Sequence, residues 1–407
     1  MQPEPTANAA PKGRRVYYIS GFDPRGARFY HQLYKTEAAQ QQAVNGYQYT
    51  VGKRQKTGEH TSAWHITATP NEPRANPVQT QTQIQAQIQT QTSYTFLAWD
   101  DLIRTHWITN RAKILAKMLI FYAHYLGNGG MRKTLAATPR GFVTLVAPAF
   151  YALATLVLAV LGGVAVAGLA SLLAGSRWAH ALAGLAGAAA VIWAAVVLAE
   201  KNRLFWMMRI MLFVLHWGRR NPPELAQRWH HFAAIIHADR LQHPDDEVLI
   251  IGHSIGGLAA ALVAERCLAL QPQPPDTAPF KLVVMGNLTP LMGFLPEAGW
   301  FRDTLVKLGQ SGLPWFDYSA AADPLCYRLV DAFAACGLAP ATKAYQVRSA
   351  RFHRMFSAAE FKRRSRDGFG IHFQYLMATH LPVDNDYFSL TAGPVSGSPL
   401  NAPAGTA

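Results

Sequence analysis

Residues 248–257 read Val-Leu-Ile-Ile-Gly-His-Ser-Ile-Gly-Gly. The continuous apolar run at 248–251 is typical of a strand that is buried on both faces of a parallel sheet. Residues 252–256 then match the pattern G-x-S-x-G, and the Ala- and Leu-rich run at 258–270 predicts a helix. This order of strand, glycine-bounded turn and helix predicts an α/β fold with Ser254 at the carboxyl edge of the sheet.

The residue types of this turn suit one kind of chemistry. A serine hydroxyl is a weak nucleophile unless it stands clear of the sheet and within reach of a base. Side chains at Gly252 and Gly256 would collide with the neighbouring strand and helix. The N–H of Ile255, at the start of the helix, points to the place where an oxyanion would form. The turn therefore predicts Ser254 as a nucleophile and Ile255 as one oxyanion donor.

Other segments of the chain extend the α/β pattern. Further strands are predicted at residues 15–20, 47–53, 63–69, 94–99, 281–285, 313–318 and 344–348. Helices are predicted at residues 28–42, 100–125 and 223–241. Strands that alternate with helices indicate a mostly parallel sheet with helices on both faces.

Two long apolar stretches interrupt this pattern. Residues 142–175 contain no charged side chain, and residues 178–199 contain only His180. Each stretch exceeds the roughly 20 residues that a helix needs to cross a bilayer. Only Ser176 and Arg177 separate them, so we predict a tight transmembrane helical hairpin. Small residues would allow its helices to approach closely, at Gly162, Gly163, Gly168, Gly184 and Gly187.

Positive charge surrounds the hairpin. The basic residues of its flanks are Arg132, Lys133, Arg140, Lys201, Arg203 and Arg209, against Arg177 alone in the turn. The positive-inside rule predicts that both flanks, and so the α/β domain, face the cytoplasm of a bacterial inner membrane. The net charge of +14 predicts attraction to anionic lipid headgroups, and no basic and aromatic module predicts nucleic-acid binding.

The hairpin is predicted to be an insertion in one α/β domain. The parts of that domain are residues 14–140 and 201–392, the hairpin is 141–200, and disordered tails occupy 1–13 and 393–407. The Gln/Thr-rich residues 79–92 predict an expanded loop, and residues 271–279 a proline-rich linker. Residues 204–217, interrupted by Arg209 and His216, predict a helix at the interface or beneath the α/β domain.

A nucleophilic serine needs a base and an acid that orients the base, in the chain order Ser, Asp or Glu, His. The predicted acid is Asp323, which lies in the loop after the strand at 313–318. Catalytic groups concentrate in such loops. The alternative acid is Asp317, which lies inside that strand.

Three histidines follow these carboxylates in the chain, at His353, His372 and His380. We predict His372 as the base, because a glycine-containing loop at 367–371 delivers it to the start of a helix, an aromatic segment that would hold the ring. His353 has arginines on both sides, whose charge disfavours an imidazolium. His380 lies near the end of the aromatic segment, before Pro382.

The second oxyanion donor is expected in the loop after the first strand. This loop begins Gly21-Phe22-Asp23, and the Phe22 N–H is the predicted donor, while Asp23 and Arg25 would fix the loop's shape. No metal site is predicted. The upstream histidines have no H-E-x-x-H pattern, and the three cysteines have no ligand spacing: His230, His231, His237, His243, Cys267, Cys326 and Cys336.

With these residues assembled, the chain resembles the α/β-hydrolase superfamily, in particular its membrane-associated bacterial members. The resemblance rests on residues 252–257, the loop at Gly21 and the order Ser–Asp–His, and it covers residues 14–140 and 201–392. It implies a serine nucleophile, a histidine–acid pair and no cofactor. The chain departs from the family in lacking an H-G-G-G loop and in the long separation of Asp323 from His372.

These residues lead to a functional hypothesis. The chain is expected to be a membrane-anchored serine hydrolase, esterase- or lipase-like, that cleaves a carboxylic ester or acyl thioester of a lipid or other amphiphilic substrate. The apolar residues 288–301 would form a lid or an acyl pocket, unless they pack in the core. The alternative is a hydrolase-fold membrane protein without catalysis that serves as a scaffold or partner-binding module.

Overall fold

The structure is a computed structural model that describes residues 13–71, 89–173, 175–244, 246–270, 280–395 and 400. Most of both predicted tails, residues 79–88 of the predicted loop and the linker 271–279 lie outside the described residues. The chain divides into two compact units. The first unit comprises the residues up to Trp107 and those from His216 onward, and the second unit is Ile108–Leu215.

The first unit contains one sheet, which has nine strands within the described residues. The strands are β1 (Arg14–Ile19), β2 (Tyr47–Val51), β3 (Gln55–Gly58), β4 (Thr61–Pro70), β5 (Thr90–Leu97), β6 (Glu247–His253), β7 (Lys281–Met285), β8 (Trp315–Ser319) and β9 (Tyr345–Ser349). They lie in the order β2-β4-β5-β1-β6-β7-β8-β9, and β3 pairs with β4.

Most neighbouring strands in this sheet are parallel. All pairs from β5 through β1, β6, β7 and β8 to β9 are parallel, whereas β4 pairs antiparallel with β2, β3 and β5. The predicted α/β class with a mostly parallel sheet is therefore confirmed. The sequence did not predict β3, because all four of its residues are exposed and none is strongly apolar.

Helices connect and cover the strands. In chain order they are α1 (Gly26–Asn45), α2 (Asp100–His106), α3 (Arg111–Gly127), α4 (Gly130–Ala137), α5 (Pro139–Ala170), α6 (Arg177–Lys201), α7 (Leu204–Arg220), α8 (Pro223–Gln242), α9 (Ile255–Ala269), α10 (Thr289–Gly293), α11 (Gly299–Gln310), α12 (Ala332–Ala335), α13 (Ala358–Arg364), α14 (Gly368–His372) and α15 (Tyr387–Ala392). Two 3₁₀ turns lie at Phe352–Arg354 and Gln374–Leu376.

Alternation along the strands divides the core of the first unit into two layers. Val16 and Tyr18 of β1 share one hydrophobic cluster with Tyr34 of α1 and Phe388 of α15. Successive strand residues point to opposite faces of a sheet. Helix α9 packs on β6 and β7 and against α8 and α11, which gives the central strands a second layer.

The carboxyl ends of the central strands set the position of the candidate site. Because β1, β6, β7 and β8 are adjacent and parallel, the loops that follow them lie side by side at one edge of the sheet. In open parallel sheets this edge is where ligands bind. It carries Gly21, Ser254, Gly286 and Asp323.

The second unit contains two helices, α5 and α6, that are long and apolar enough to cross a membrane by length and composition. Many of their large apolar side chains are exposed, among them Leu153, Leu161, Leu182 and Trp193. Helix α7 has 17 residues and runs from this unit into the first. Several α7 side chains are buried, including Met208 and Val214.

Helices α5 and α6 pack closely at glycines, as the sequence predicted. A Cβ at Gly163 would lie 3.0 Å from the carbonyl oxygen of Gly184, and one at Gly184 would lie 2.9 Å from the carbonyl oxygen of Gly163. The Tyr151 hydroxyl also donates to the Ala195 carbonyl at 2.6 Å. Gly168 differs, because nothing lies within 4 Å of its Cβ position.

Candidate active site

Ser254 occupies a strained turn between β6 and α9. Its φ of +58° and ψ of −128° lie in a region that non-glycine residues rarely adopt. Its N–H donates to the carbonyl of Met285, at the end of β7, at 2.8 Å. Strained residues persist where the surrounding structure over-determines them, and they cluster at functional sites.

Glycines permit this turn because β6, α9 and β1 approach too closely for side chains. A Cβ at Gly256 would collide with the carbonyl oxygens of Ile19 and Ser20. A Cβ at Gly252 would collide with the backbone of Gly256 and Gly257. The two glycines therefore have the steric role that the sequence predicted.

Asp323 and His372 meet in a hydrogen bond across 49 residues of chain. Asp323 lies in the turn after β8, and His372 is the last residue of α14. Nδ1 of His372 lies 2.8 Å from Oδ2 of Asp323. Both residues are buried. The structure thus brings together the acid and the base that the sequence selected.

The surroundings of Asp323 favour its ionised form. Burial raises the pKa of this carboxyl, but the facing His372 ring and hydrogen bonds from His372 and the Leu325 N–H hold its pKa below the ordinary value. An ionised carboxylate can only accept hydrogen bonds. Nδ1 of His372 therefore carries the proton in this pair, and Nε2 is the basic atom of the neutral ring.

Tyr375 supports the carboxylate and was not predicted. Its hydroxyl donates to Oδ2 of Asp323 at 3.1 Å and accepts from the Ala320 N–H at 2.9 Å. The same hydroxyl lies 3.7 Å from Sγ of Cys326. Tyr375 follows His372 by three residues in the aromatic segment, and that proximity was the only signal in the sequence.

The His372 ring lies beside the Ser254 turn. It packs on Gly286, directly after β7, where a Cβ would lie 2.9 Å from Cε1 of His372. Met285, the residue before this glycine, accepts the Ser254 N–H. The ring of His253, directly before Ser254, lies with its centroid 4.8 Å from that of His372. Ser254 therefore follows β6 and Asp323 follows β8, and the His372 ring packs at the end of β7, which lies between these two strands.

His253 links the turn to the backbone of His372. Its Nε2 lies 2.8 Å from the carbonyl oxygen of His372. Burial, with the charge that His372 can carry, lowers the pKa of His253 to about 3, so the ring is neutral. A carbonyl oxygen only accepts, so Nε2–H of His253 is the donor. The sequence did not predict this role, because the second position of the motif, which His253 occupies, can be any residue.

The two predicted oxyanion donors flank Ser254. Ile255 is the first residue of α9, and the first N–H groups of a helix have no partner within the helix. Gly21, directly before Phe22, lies against the serine, since a Cβ there would be 3.5 Å from the Ser254 Oγ. The Phe22 ring is buried and stacks on Trp107 at 5.6 Å.

Asp23 and Arg25 fix the shape of the loop after β1, as expected. The buried Asp23 carboxylate accepts from Nη2 of Arg25 at 2.6 Å and from the Tyr30 hydroxyl at 2.9 Å. The Arg25 guanidinium carbon lies 3.7 Å from the centroid of Phe29 and 5.3 Å from that of Phe373. The loop is thereby held beside the segment that carries His372.

The alternative acid Asp317 occupies a different environment. Its Oδ2 accepts from the Tyr345 hydroxyl of β9 at 3.2 Å, and its Oδ1 is buried with no partner among the described residues. Burial raises the pKa of Asp317 to about 8. Its carboxyl therefore faces Tyr345, whereas His372 is bound by Asp323.

The alternative bases His353 and His380 are exposed. The His353 ring lies 6.3 Å from the ring of Phe361. Nε2 of His380 lies 3.2 Å from Nη2 of Arg364. Of the three downstream histidines, His372 is the one that the structure buries against Asp323.

One detail of the sequence interpretation is wrong. His372 does not begin an aromatic helix, because α14 ends at this residue. Helix α14 begins at Gly368, four residues before His372. The Asp367 side chain caps this start by accepting hydrogen bonds from the N–H groups of Phe369 and Gly370, at 3.1 and 2.8 Å. Phe373 follows the helix, and the next three residues, Gln374–Leu376, which include Tyr375, form a 3₁₀ turn.

The apolar segment at 288–301 packs in the core of the first unit. It contains α10 and the start of α11. Its large side chains are buried, including Leu291, Met292, Phe294, Leu295 and Phe301. The segment is therefore not an exposed lid.

In the part of the chain that the structure describes, no group of three or more His, Cys, Asp or Glu side chains is placed to hold a metal ion. The chemistry available at the site is that of Ser254, the two histidines and Asp323. A serine beside a histidine whose Nδ1 is bound by a carboxylate is an arrangement suited to nucleophilic acyl transfer.

Comparison with family models, with curated proteins and with solved structures finds no match to this chain. Its function therefore has to be argued from the site.

Proposed function

We propose that this chain is a membrane-anchored serine hydrolase of the α/β-hydrolase type that cleaves a carboxylic ester or an acyl thioester. One observation carries the proposal. Ser254 is held at a strained strand–helix turn, next to a histidine whose Nδ1 is bound to a buried carboxylate. The chain order Ser254, Asp323, His372 agrees with that expected for such hydrolases.

In the first half of the proposed reaction, the Ser254 Oγ attacks the substrate's carbonyl carbon while Nε2 of His372 takes the hydroxyl proton. Asp323 stabilises the imidazolium through Nδ1–H. The tetrahedral intermediate collapses to an acyl-serine, and the leaving alcohol or thiol departs with the proton from His372.

In the second half, Nε2 of His372 takes a proton from water, and the resulting oxygen attacks the acyl-serine carbonyl. Collapse releases the carboxylic acid and returns the proton to Ser254. The N–H groups of Ile255 and Phe22 would stabilise the negative oxygen in both halves. The cycle needs no cofactor.

The membrane part of the proposal concerns α5 and α6. We propose that they form a hairpin in the inner membrane and that the basic flanks hold the Ser254 unit on the cytoplasmic side. A site tethered next to a bilayer favours a lipid or other amphiphilic ester as substrate. The exposed apolar side chains of both helices support insertion.

The nucleophile is tested with a fluorophosphonate probe on membranes that contain the full-length chain. The control variant is Ser365→Ala, which makes the same change at a serine directly after α13. We expect this variant and the wild type to be labelled equally. Ser254→Ala should not be labelled. Equal labelling of Ser254→Ala would refute the nucleophile, and an unlabelled wild type would favour the non-catalytic scaffold.

The orientation is tested by protease accessibility in spheroplasts. We expect an added protease to leave the Ser254 unit intact until the membrane is permeabilised. Digestion of that unit in intact spheroplasts would refute the cytoplasmic placement. Release of the wild type by carbonate would refute the membrane anchor.

A further inference from the structure

We propose that α3 (Arg111–Gly127) is an in-plane membrane helix that binds anionic lipid at the bilayer surface. The inference rests on the proposed insertion of α5 and α6 and goes beyond it, since α3 is a separate lipid contact. Three features of the molecule support it, which are the faces of α3, its position against the hairpin and the charge of the second unit.

Helix α3 has three faces. One face is buried in the second unit and consists of Ile114, Met118, Phe121 and Tyr125. At 100° per residue these four positions lie on one side of a helix. This face explains how α3 is held in the protein.

A second face is apolar and exposed. Its large residues are Leu115, Leu119 and Leu126, which are 41, 72 and 67% exposed, with Ile120 at its margin, 58% exposed. The three leucines are spaced at i, i+4 and i+11, which places them on one stripe of the helix. Three alanines lie next to them and widen this apolar stripe, at Ala112, Ala116 and Ala123. Contiguous exposed apolar surface of this kind marks a protein or membrane contact.

The third face is polar and carries Lys113, Lys117 and His124. Lys113 and Lys117 are exposed. On the helical wheel this face adjoins the apolar stripe on one side and the packed face on the other. Long lysine side chains in that position can keep their ammonium groups at the headgroups while the apolar stripe enters the bilayer.

The position of α3 suits the membrane surface. Nε of Arg111 lies 2.8 Å from Oε1 of Glu200, next to the last residue of α6. The Tyr122 hydroxyl donates to the carbonyl of Leu145, in the second turn of α5, at 3.0 Å. Helix α3 therefore contacts both hairpin helices at the same end, and these two contacts lie about 16 Å apart along its axis.

The charge of the second unit indicates that the lipid bound by α3 is anionic. Glu200 is the only acidic residue in the sequence of the second unit, and it pairs with Arg111. The basic residues of this unit that lie at the same end of the hairpin as α3 are Arg111, Lys113, Lys117, Arg132, Lys133, Arg140, Lys201 and Arg203, apart from the buried Arg209, whereas Arg177 lies in the turn at the other end. Each basic residue near an anionic bilayer surface contributes about 1 kcal/mol of attraction. A second copy of this face would instead bring like charges together, so lipid is the favoured occupant.

The test places an environment-sensitive fluorophore on the full-length chain in vesicles. Cys336→Ser removes the one partly exposed cysteine, since Cys267 and Cys326 are buried. Single labels are then placed at Leu119→Cys and, as the matched control on the polar face, at Lys117→Cys. The vesicles contain phosphatidylcholine alone or phosphatidylcholine with a quarter of phosphatidylglycerol.

We expect the label at 119 to shift to the blue and to be quenched by a spin label in the acyl chains, whereas the label at 117 stays in water. The quenching at 119 should be stronger with phosphatidylglycerol, and Lys113→Gln with Lys117→Gln should remove that difference. Water exposure at 119 in both vesicles overturns the proposal. Disulfide crosslinking between two copies of the unlabelled Leu119→Cys variant overturns it in favour of a dimer.

The same samples separate this inference from the proposals on which it rests. Carbonate-resistant protein with a water-exposed label at 119 leaves the hairpin in the membrane and overturns the α3 contact alone. Protein that carbonate releases refutes both. Equal quenching in the two vesicle types overturns the preference for anionic lipid.

Discussion

The two units of this chain reverse the usual distribution of polar and apolar groups in opposite ways. In the first unit, a carboxylate, two histidines and a serine are buried at the carboxyl edge of a sheet. In the second unit, leucines, valines and tryptophans are exposed along two long helices. Either reversal costs free energy in water unless a partner offsets it.

In the first unit, the groups that offset this free-energy cost lie within the protein, whereas in the second unit they would come from outside it. At the candidate site of the first unit, buried polar groups bind one another, as when Asp323 accepts from His372 and Tyr375. The large apolar side chains of the second unit are exposed among its described residues, and in the proposed membrane anchor a bilayer would cover them. Substitutions in the hydrogen-bonded network around Asp323 and His372 should therefore change catalytic rates. Substitutions in the hairpin should instead change how α5 and α6 pack together.

The largest expected effect concerns the internal network. His372→Ala should lower kcat/KM for a short-chain nitrophenyl ester by on the order of 10⁴-fold or more, because it removes the proposed acceptor of the serine proton. His353→Ala and His380→Ala are matched controls on the surface and should retain nearly full activity. An inactive His353→Ala beside an active His372→Ala would show that the base is assigned to the wrong histidine.

Asp317→Asn should stabilise the first unit at neutral and higher pH, because it removes a buried carboxyl whose ionised form burial disfavours. The pKa of Asp317 is about 8 in the folded protein and about 4 in an unfolded chain. In the wild type, the free energy of unfolding should therefore fall as the pH rises from about 4 to 8, by roughly 1.4 kcal/mol for each pH unit in that range.

The measurement for this variant is the melting temperature in detergent at pH 4.5 and at pH 8. The gain of Asp317→Asn over the wild type should be small at pH 4.5 and reach several degrees at pH 8. A gain that is equal at both pH values would show that the folded carboxyl does not hold its proton.

In the second unit, Gly184→Val should separate α5 from α6, since a Cβ at this position already lies 2.9 Å from the Gly163 carbonyl oxygen. Overpacking of this kind costs about 1–3 kcal/mol. Gly168→Val is the control, because its Cβ position is open. Disulfide formation between engineered cysteines on the two helices should slow in Gly184→Val only; equal rates would contradict the close packing.

The smallest expected effect concerns His253, which positions the backbone of His372 through a neutral hydrogen bond. Such a bond contributes about 1 kcal/mol. His253→Leu should therefore lower kcat roughly fivefold with KM unchanged, and His253→Gln, which keeps a donor, should recover part of the loss. A loss confined to KM would exclude a positioning role.

The sequence predicted much of this arrangement where the signals are local. The turn at Ser254, the apolar pair of helices and Asp323 in a loop after a strand all follow from short stretches of residues. Strand β3, the end of α14 at His372 and the buried segment at 288–301 did not follow. Whether these segments form a strand, end a helix or pack in the core depends on contacts with other parts of the chain, such as the pairing of β3 with β4.

By itself, the sequence determined that a strand runs into a glycine-bounded serine turn and that two helices are long and apolar enough to cross a membrane. Both properties depend on residues adjacent in the chain, through steric fit and hydropathy. Only the tertiary structure showed that Asp323 and not Asp317 meets a histidine, that this histidine is His372, and that His253 and Tyr375 adjoin the pair. These choices depend on which strand ends are neighbours in the sheet and which face each side chain takes, and neither is encoded in a short stretch of chain.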